Sequence, residues 1–218
     1  MGRLGRKGAS AHATNAPPPN LKIGKYYQGK GSVIERAPRP AQEFFRLIGE
    51  CLKSTQASTQ DAPLRLDAAI DRMRKLFRSC HARGGKLIFI GNGGSAAIAS
   101  HMAVDWSKNG GVRSIAFNDA PTLTCLANDF GYDRVFAKQI EYYATKHDVP
   151  VIISSSGRSL NIIAAADSAR VLGCTLVTLT GMNPNNLLRS KGDVNLYVPS
   201  TDYGLVEISH LALLHSIV

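Results

Sequence analysis

Apolar positions recur at helical spacing from residue 41 onward. In AQEFFRLIGECLKSTQ (41–56), Phe44, Phe45, Leu47, Ile48, Cys51 and Leu52 share a face. LRLDAAIDRMRKLFRSCHARGG (64–85) repeats the period with Leu66, Ala69, Ile70, Met73, Leu76 and Phe77, then stops at Gly84 and Gly85. Five short runs follow that are apolar at almost every position: KLIFI (86–90), RSIAF (113–117), VPVIIS (149–154), CTLVTLT (174–180) and VNLYVP (194–199). Such runs suit strands buried on both faces. Helical periods separate most of them, over 95–107, 134–145, 159–172 and from 203 to the end. The alternation predicts an α/β fold: a five-stranded parallel sheet flanked by helices in a three-layer sandwich, preceded by N-terminal helices. The last helix, GLVEISHLALLHSIV, runs into the C-terminus, its stripe read as Leu205, Ile208, Leu211, Leu214 and Val218 or Ile217.

At 218 residues the chain suits one domain with appendages. Its net charge of +10 points at first to nucleic acid, but residues 1–40 carry eight Lys/Arg against one acid, Glu35, which leaves only +3 for the rest. The basicity belongs to a Gly/Ala/Pro/Asn-rich tail, 1–40, read as disordered and as a solvated charge run rather than a nucleic-acid arm. The domain is placed at 41–218. No run of 18 apolar residues offers a membrane span. Cys51, Cys80, Cys125 and Cys174 have no CxxC spacing, so neither a zinc knuckle nor a disulfide framework is expected, and a reducing, cytoplasmic setting is.

Three strand ends lead into small-residue turns: GNGGS (91–95), SSSGRS (154–159) and TLTG (178–181). In open parallel sheets ligands bind at the carboxyl ends of strands, where strand order reverses. Four hydroxyls, Ser154, Ser155, Ser156 and Ser159, around a glycine at a helix start make an anion cradle, for which phosphate is the expected guest. One serine would suffice to cap a helix. GNGGS matches neither GxGxxG nor a P-loop, which counts against dinucleotides and nucleoside triphosphates. His101 and Asp105 lie at i, i+4, as a surface ion pair would. Glu207 and His215 stand two turns apart on the last helix, about 80° offset at ~100° per residue, with Cα atoms ~12 Å apart. One metal could take both only if their side chains leaned toward each other.

GNGGSAAIASH, LANDFGYDRVFAKQIE, ISSSGRSLNIIAAADSARVLGCTLVTLTG and EISHLALLH, in this order and spacing, resemble the sugar isomerase (SIS) domain family, and within it the phosphoheptose isomerases. These convert sedoheptulose 7-phosphate to D-glycero-D-manno-heptose 7-phosphate, feeding lipopolysaccharide or other heptose pathways. The resemblance covers residues 41–218. It implies that Ser154, Ser155, Ser156 and Ser159 hold the phosphate, that Asn92, Gly93 and Ser95 line the sugar, and that Asp129 binds its hydroxyls. It also implies that His101, Asp105, Glu207 and His215 can bind zinc, with Glu207 touching substrate and Asp105 and His215 serving as acid and base, in either direction. Family members are homotetramers with sites assembled across subunits, so the last helix is expected to reach a neighbour's His101.

The chain departs from the family at three places. Asp105 stands where a Glu is usual and Glu207 where a Gln is usual, and STDYGLV is one residue short and lacks an acidic-basic pair before the last helix. These bear on ring opening and on the choice of sugar, so another phosphosugar stays open as the substrate. A non-catalytic branch of the family, an adaptor for a replication initiator, lacks the helical carboxylate and the C-terminal histidine, both present here. A sugar-phosphate sensor would need a DNA-binding domain that the tail cannot form.

Overall fold

The computed structural model describes residues 39–218, so the predicted tail lies outside the described residues except for its last two positions. In chain order the elements are α1 (Ala41–Lys53), β1 (Gln56–Ser58), β2 (Pro63–Leu64), α2 (Leu66–Ala82), β3 (Leu87–Gly91), α3 (Gly94–Lys108), β4 (Ser114–Ala116) and α4 (Ala120–Phe130). A single 3-10 turn, Tyr132–Arg134, leads into α5 (Val135–Tyr143), β5 (Val149–Ser154), α6 (Leu160–Val171), β6 (Val177–Gly181), β7 (Val194–Val198) and α7 (Tyr203–His215). Strand order is β2-β1-β7-β6-β5-β3-β4. The five predicted strands pair in parallel, and their order is the flavodoxin-like one.

Every residue of β3, β5, β6 and β7 is buried, because helices cover both faces. Leu87, Phe89, Val151, Ile153, Leu179 and Leu196 point to the layer holding α1, α2, α3 and α7. Ile88, Ile90 and Ile152 point to the layer of α5 and α6, against Phe136, Ile140 and Ile162. No helix among the described residues is long and apolar enough to cross a membrane.

Three features differ from the sequence reading. β1 and β2 add two short antiparallel strands beside β7, so the end of the predicted first helix, beyond Lys53, turns into strand. α4 also forms; its signals were local, with Asp119 accepting from Thr122 N and a proline in the first turn. Last, α7 closes at His215 and buries more than the predicted stripe: Leu205, Leu214 and Ile217 are buried as expected and Leu211 is half-buried. Ile208 is exposed, whereas Val206, Ser209 and His210 are fully buried. The helix is apolar nearly all round, so periodicity alone does not choose its face.

A buried carboxylate ties the sheet together at its other end. Asp148, 2% exposed, accepts from Lys86 N (2.7 Å), Lys86 Nζ (2.8 Å), Thr145 N (2.7 Å) and Thr145 Oγ1 (3.2 Å). Burial works against its ionised form, but Lys86 and Thr145 outweigh it and hold the carboxyl below the usual carboxylate range. A depressed folded-state pKa gives stability that is complete above the unfolded value, about 3.9, and lost as pH falls through the folded value. Asp148→Asn should therefore cost about 2–3 kcal/mol at pH 7, a deficit that narrows below about pH 4. Urea midpoints of both proteins at pH 7 and pH 3 check this. An equal deficit at both would mean that the charge is not the cause.

Candidate active site

β3 runs to α3 and on to β4 at one edge, whereas β5 lies on the other side of β3 and leads toward β6 and β7. The carboxyl ends of β3 and β5 therefore flank the crevice where strand order reverses, and the two predicted turns meet there. Asn92 Nδ2 donates to Asn161 Oδ1 (2.9 Å), and Asn161 Nδ2 donates back to Asn92 Oδ1 (3.0 Å), a reciprocal amide pair across the crevice. The Tyr132 hydroxyl adds a third bond to Asn92 Oδ1 at 3.3 Å. Asn161 and Tyr132 were not singled out from sequence. An amide in the buried first turn of α6 was a usable signal for Asn161; Tyr132 offered none.

Gly93 is the exposed N-cap of α3, and Ser95 is buried one residue inside the helix. In the serine turn, Ser154 Oγ accepts from Gly157 N (3.1 Å). Ser155 Oγ is sealed from solvent and has no hydrogen-bond partner. Ser156 is half-buried. Ser159 occupies the N-cap of α6, yet its side chain makes no capping bond. The four hydroxyls are thus not consumed by capping, and the unpartnered buried hydroxyl of Ser155, in the turn from β5 to α6, is a donor suited to an anion. Asp129 is exposed on α4 and bonded to its own neighbours, Asn128 Nδ2 at 2.9 Å and Cys125 Sγ at 3.6 Å.

Farther along α3 and α7, which run side by side, three of the four expected metal ligands come together. His101 Nε2 lies 3.3 Å from His215 Nε2. Asp105 Oδ2 lies 3.4 Å from His101 Nε2 and 3.4 Å from His215 Nδ1. One ligand atom from each residue falls within 4.8 Å of the others, a donor set that suits a divalent transition ion. Within the chain, His215 of α7 meets this chain's own His101, because α3 and α7 share a face of the sheet. Glu207 is not in this group; its carboxylate rests over Gly94 at the start of α3. His210 is fully buried with Nε2 3.0 Å from Thr180 O, and burial pushes its imidazole down to about 4, so it stays neutral. Burial pushes the thiols of Cys80 and Cys174 up to about 11, which excludes them as nucleophiles at neutral pH.

The SIS domain family matches residues 52–181. The phosphoheptose isomerase of Aliarcobacter butzleri is 38% identical over 154 residues, spanning 68% of this chain and 81% of that one. Among solved structures, phosphoheptose isomerase from Neisseria gonorrhoeae is 30% identical with a TM-score of 0.68, covering 81% of this chain and 92% of its own. The Francisella tularensis enzyme is 27% identical with a TM-score of 0.69, over 81% and 90%. With the crevice, the serine turn and the helical trio in the arrangement described, the chain belongs to the SIS domain family, among its phosphoheptose isomerases.

Proposed function

We propose that the protein is an aldose–ketose isomerase that interconverts sedoheptulose 7-phosphate and D-glycero-D-manno-heptose 7-phosphate through an enediol. The serine turn takes the phosphate on Ser154, Ser155, Ser156 and Ser159, and Asn92, Gly93 and Ser95 line the carbon chain, with Asp129 reaching its hydroxyls. The observation that carries this is the orphaned Ser155 hydroxyl at the crevice, with an imidazole–carboxylate–imidazole group on α3 and α7.

Asp105 and His215 move the proton between C1 and C2: one removes it from the hydroxymethyl carbon of the ketose, the other returns it to what was the carbonyl carbon, and hydroxyl protons redistribute with it. Zinc or another divalent ion would be held by His101, Asp105 and His215, and bound there would polarise the carbonyl oxygen. The two imidazoles are 52% and 44% exposed, which fits a homotetramer in which a neighbouring subunit covers them. We place the enzyme in the cytoplasm.

The test is to incubate the purified protein with sedoheptulose 7-phosphate and measure the aldose formed; absence of product with any divalent ion would sink the proposal. Ser155→Ala should raise KM about 10- to 100-fold, as loss of a hydrogen bond to a charged group does. The fold should be as stable as before or slightly more so, since the hydroxyl has no partner to lose. A variant with unchanged KM would take Ser155 out of the phosphate site.

A further inference from the structure

The acidic side chains around the crevice are nearly all committed. Asp105 stands between two imidazoles, Asp129 bonds residues of its own helix, and Asp202 caps α7 by accepting from Gly204 N and Leu205 N. Glu207 differs. It is half-buried and enters no hydrogen bond or ion pair among the described residues. Its carboxylate lies against the bare Cα of Gly94, the first residue of α3, where β3 opens into the crevice. A Cβ on Gly94 would overlap Glu207 Oε2 and stand 2.6 Å from its Cδ and Oε1. Gly94 has none of the positive φ that marks the neighbouring Gly93. The backbone therefore does not require glycine at 94; a side chain there would instead push the Glu207 carboxylate out of its present seat.

A seven-carbon ketose phosphate closes on itself, and the ring must open before the proton beside the carbonyl can leave. In opening, the anomeric hydroxyl loses its proton, the bond from the anomeric carbon to the ring oxygen breaks with its electron pair going to that oxygen, and the oxygen takes up a proton. Hydroxyl and ring oxygen sit on one carbon, and a carboxylate presents two oxygens to match. We propose that Glu207 opens and closes the sugar ring, taking the proton from the anomeric hydroxyl and giving it to the ring oxygen, and that Gly94 is the positioning residue that seats it. No oxidant or second reactant is needed, and the carboxylate ends as it began. The proposal rests on the isomerase reading and assigns to Glu207 a step separate from the C1–C2 proton transfer.

The experiment compares two substrates, sedoheptulose 7-phosphate and its 5,6-dideoxy analogue, which lacks the hydroxyls that close five- and six-membered rings. Expected is a drop of about 100-fold or more, the usual worth of a positioned acid-base group, in the ratio of kcat on the natural substrate to kcat on the analogue for Glu207→Gln. Gly94→Ala should lower the same ratio, and adding Gly94→Ala to Glu207→Ala should change it no further. An unchanged ratio in Glu207→Gln, whether both substrates slow equally or neither does, overturns the proposal. Wild-type protein inert toward both substrates overturns the isomerase reading instead.

Discussion

His215→Ala is expected to lower turnover of sedoheptulose 7-phosphate about 1000-fold while leaving the thermal midpoint within a degree or two of the parent. The first half follows from chemistry: a positioned acid-base group contributes about 100- to 10,000-fold, and His215 is the only member of the trio contributed by α7. The second half follows from burial. The side chain is 44% exposed, and its polar contacts are with His101 and Asp105, so truncation opens no cavity. The two remaining side chains make a poorer chelate, and divalent-ion content after dialysis should fall with the activity. Steady-state kinetics, a melting curve and metal analysis check the three parts together. A variant that keeps more than a tenth of the parental turnover would remove His215 from the proton-transfer step.

This trio marks where sequence stops being informative by itself. His101 and Asp105 are read as neighbours from i, i+4 spacing, but His215 lies 110 residues beyond Asp105, and only the order of strands carries α7 alongside α3. The resemblance to a known family supplied that partner; spacing could not. Helical geometry did separate Glu207 from His215 by two turns, and the two side chains are found at different stations on α3, one over Gly94 and the other against His101. The serine turn was readable because its evidence is local: four hydroxyls and a glycine at a strand-to-helix junction. The five parallel strands were readable because burial on both faces leaves no polar position to confuse the pattern. β1 and β2, three and two residues long, carry too few positions to show alternation. On α7 only Ile208 was misassigned, because hydrophobic residues surround that helix while its polar His210 turns inward to Thr180 O.

The second large effect concerns the turn itself. Gly157 sits at φ +61° between the serines and α6, and its carbonyl accepts from Leu188 N at 3.0 Å. A Cβ there would overlap the Asn186 amide. That amide has no freedom to retreat: Oδ1 accepts from Arg189 N (3.0 Å), and Nδ2 donates to Asn183 O (2.8 Å) and Gly181 O (3.4 Å). Gly157→Ala thus carries two separate costs. The left-handed backbone alone costs an L-residue about 1–2 kcal/mol, and displacing Asn186 adds the loss of buried hydrogen bonds at about 1 kcal/mol or more each. Gly111 supplies the control. It has φ +64° with nothing within 4 Å of an added Cβ, so Gly111→Ala carries the backbone cost by itself. At about 2–4 °C per kcal/mol for a chain of this size, Gly111→Ala should melt a few degrees lower and Gly157→Ala about 10 °C lower. Only Gly157→Ala should also raise KM, by about 100-fold, because the strain falls on the hydroxyls assigned to the phosphate. Equal melting losses in the two variants would show that Asn186 yields freely, and an unchanged KM in Gly157→Ala would mean that the phosphate is held somewhere other than this turn.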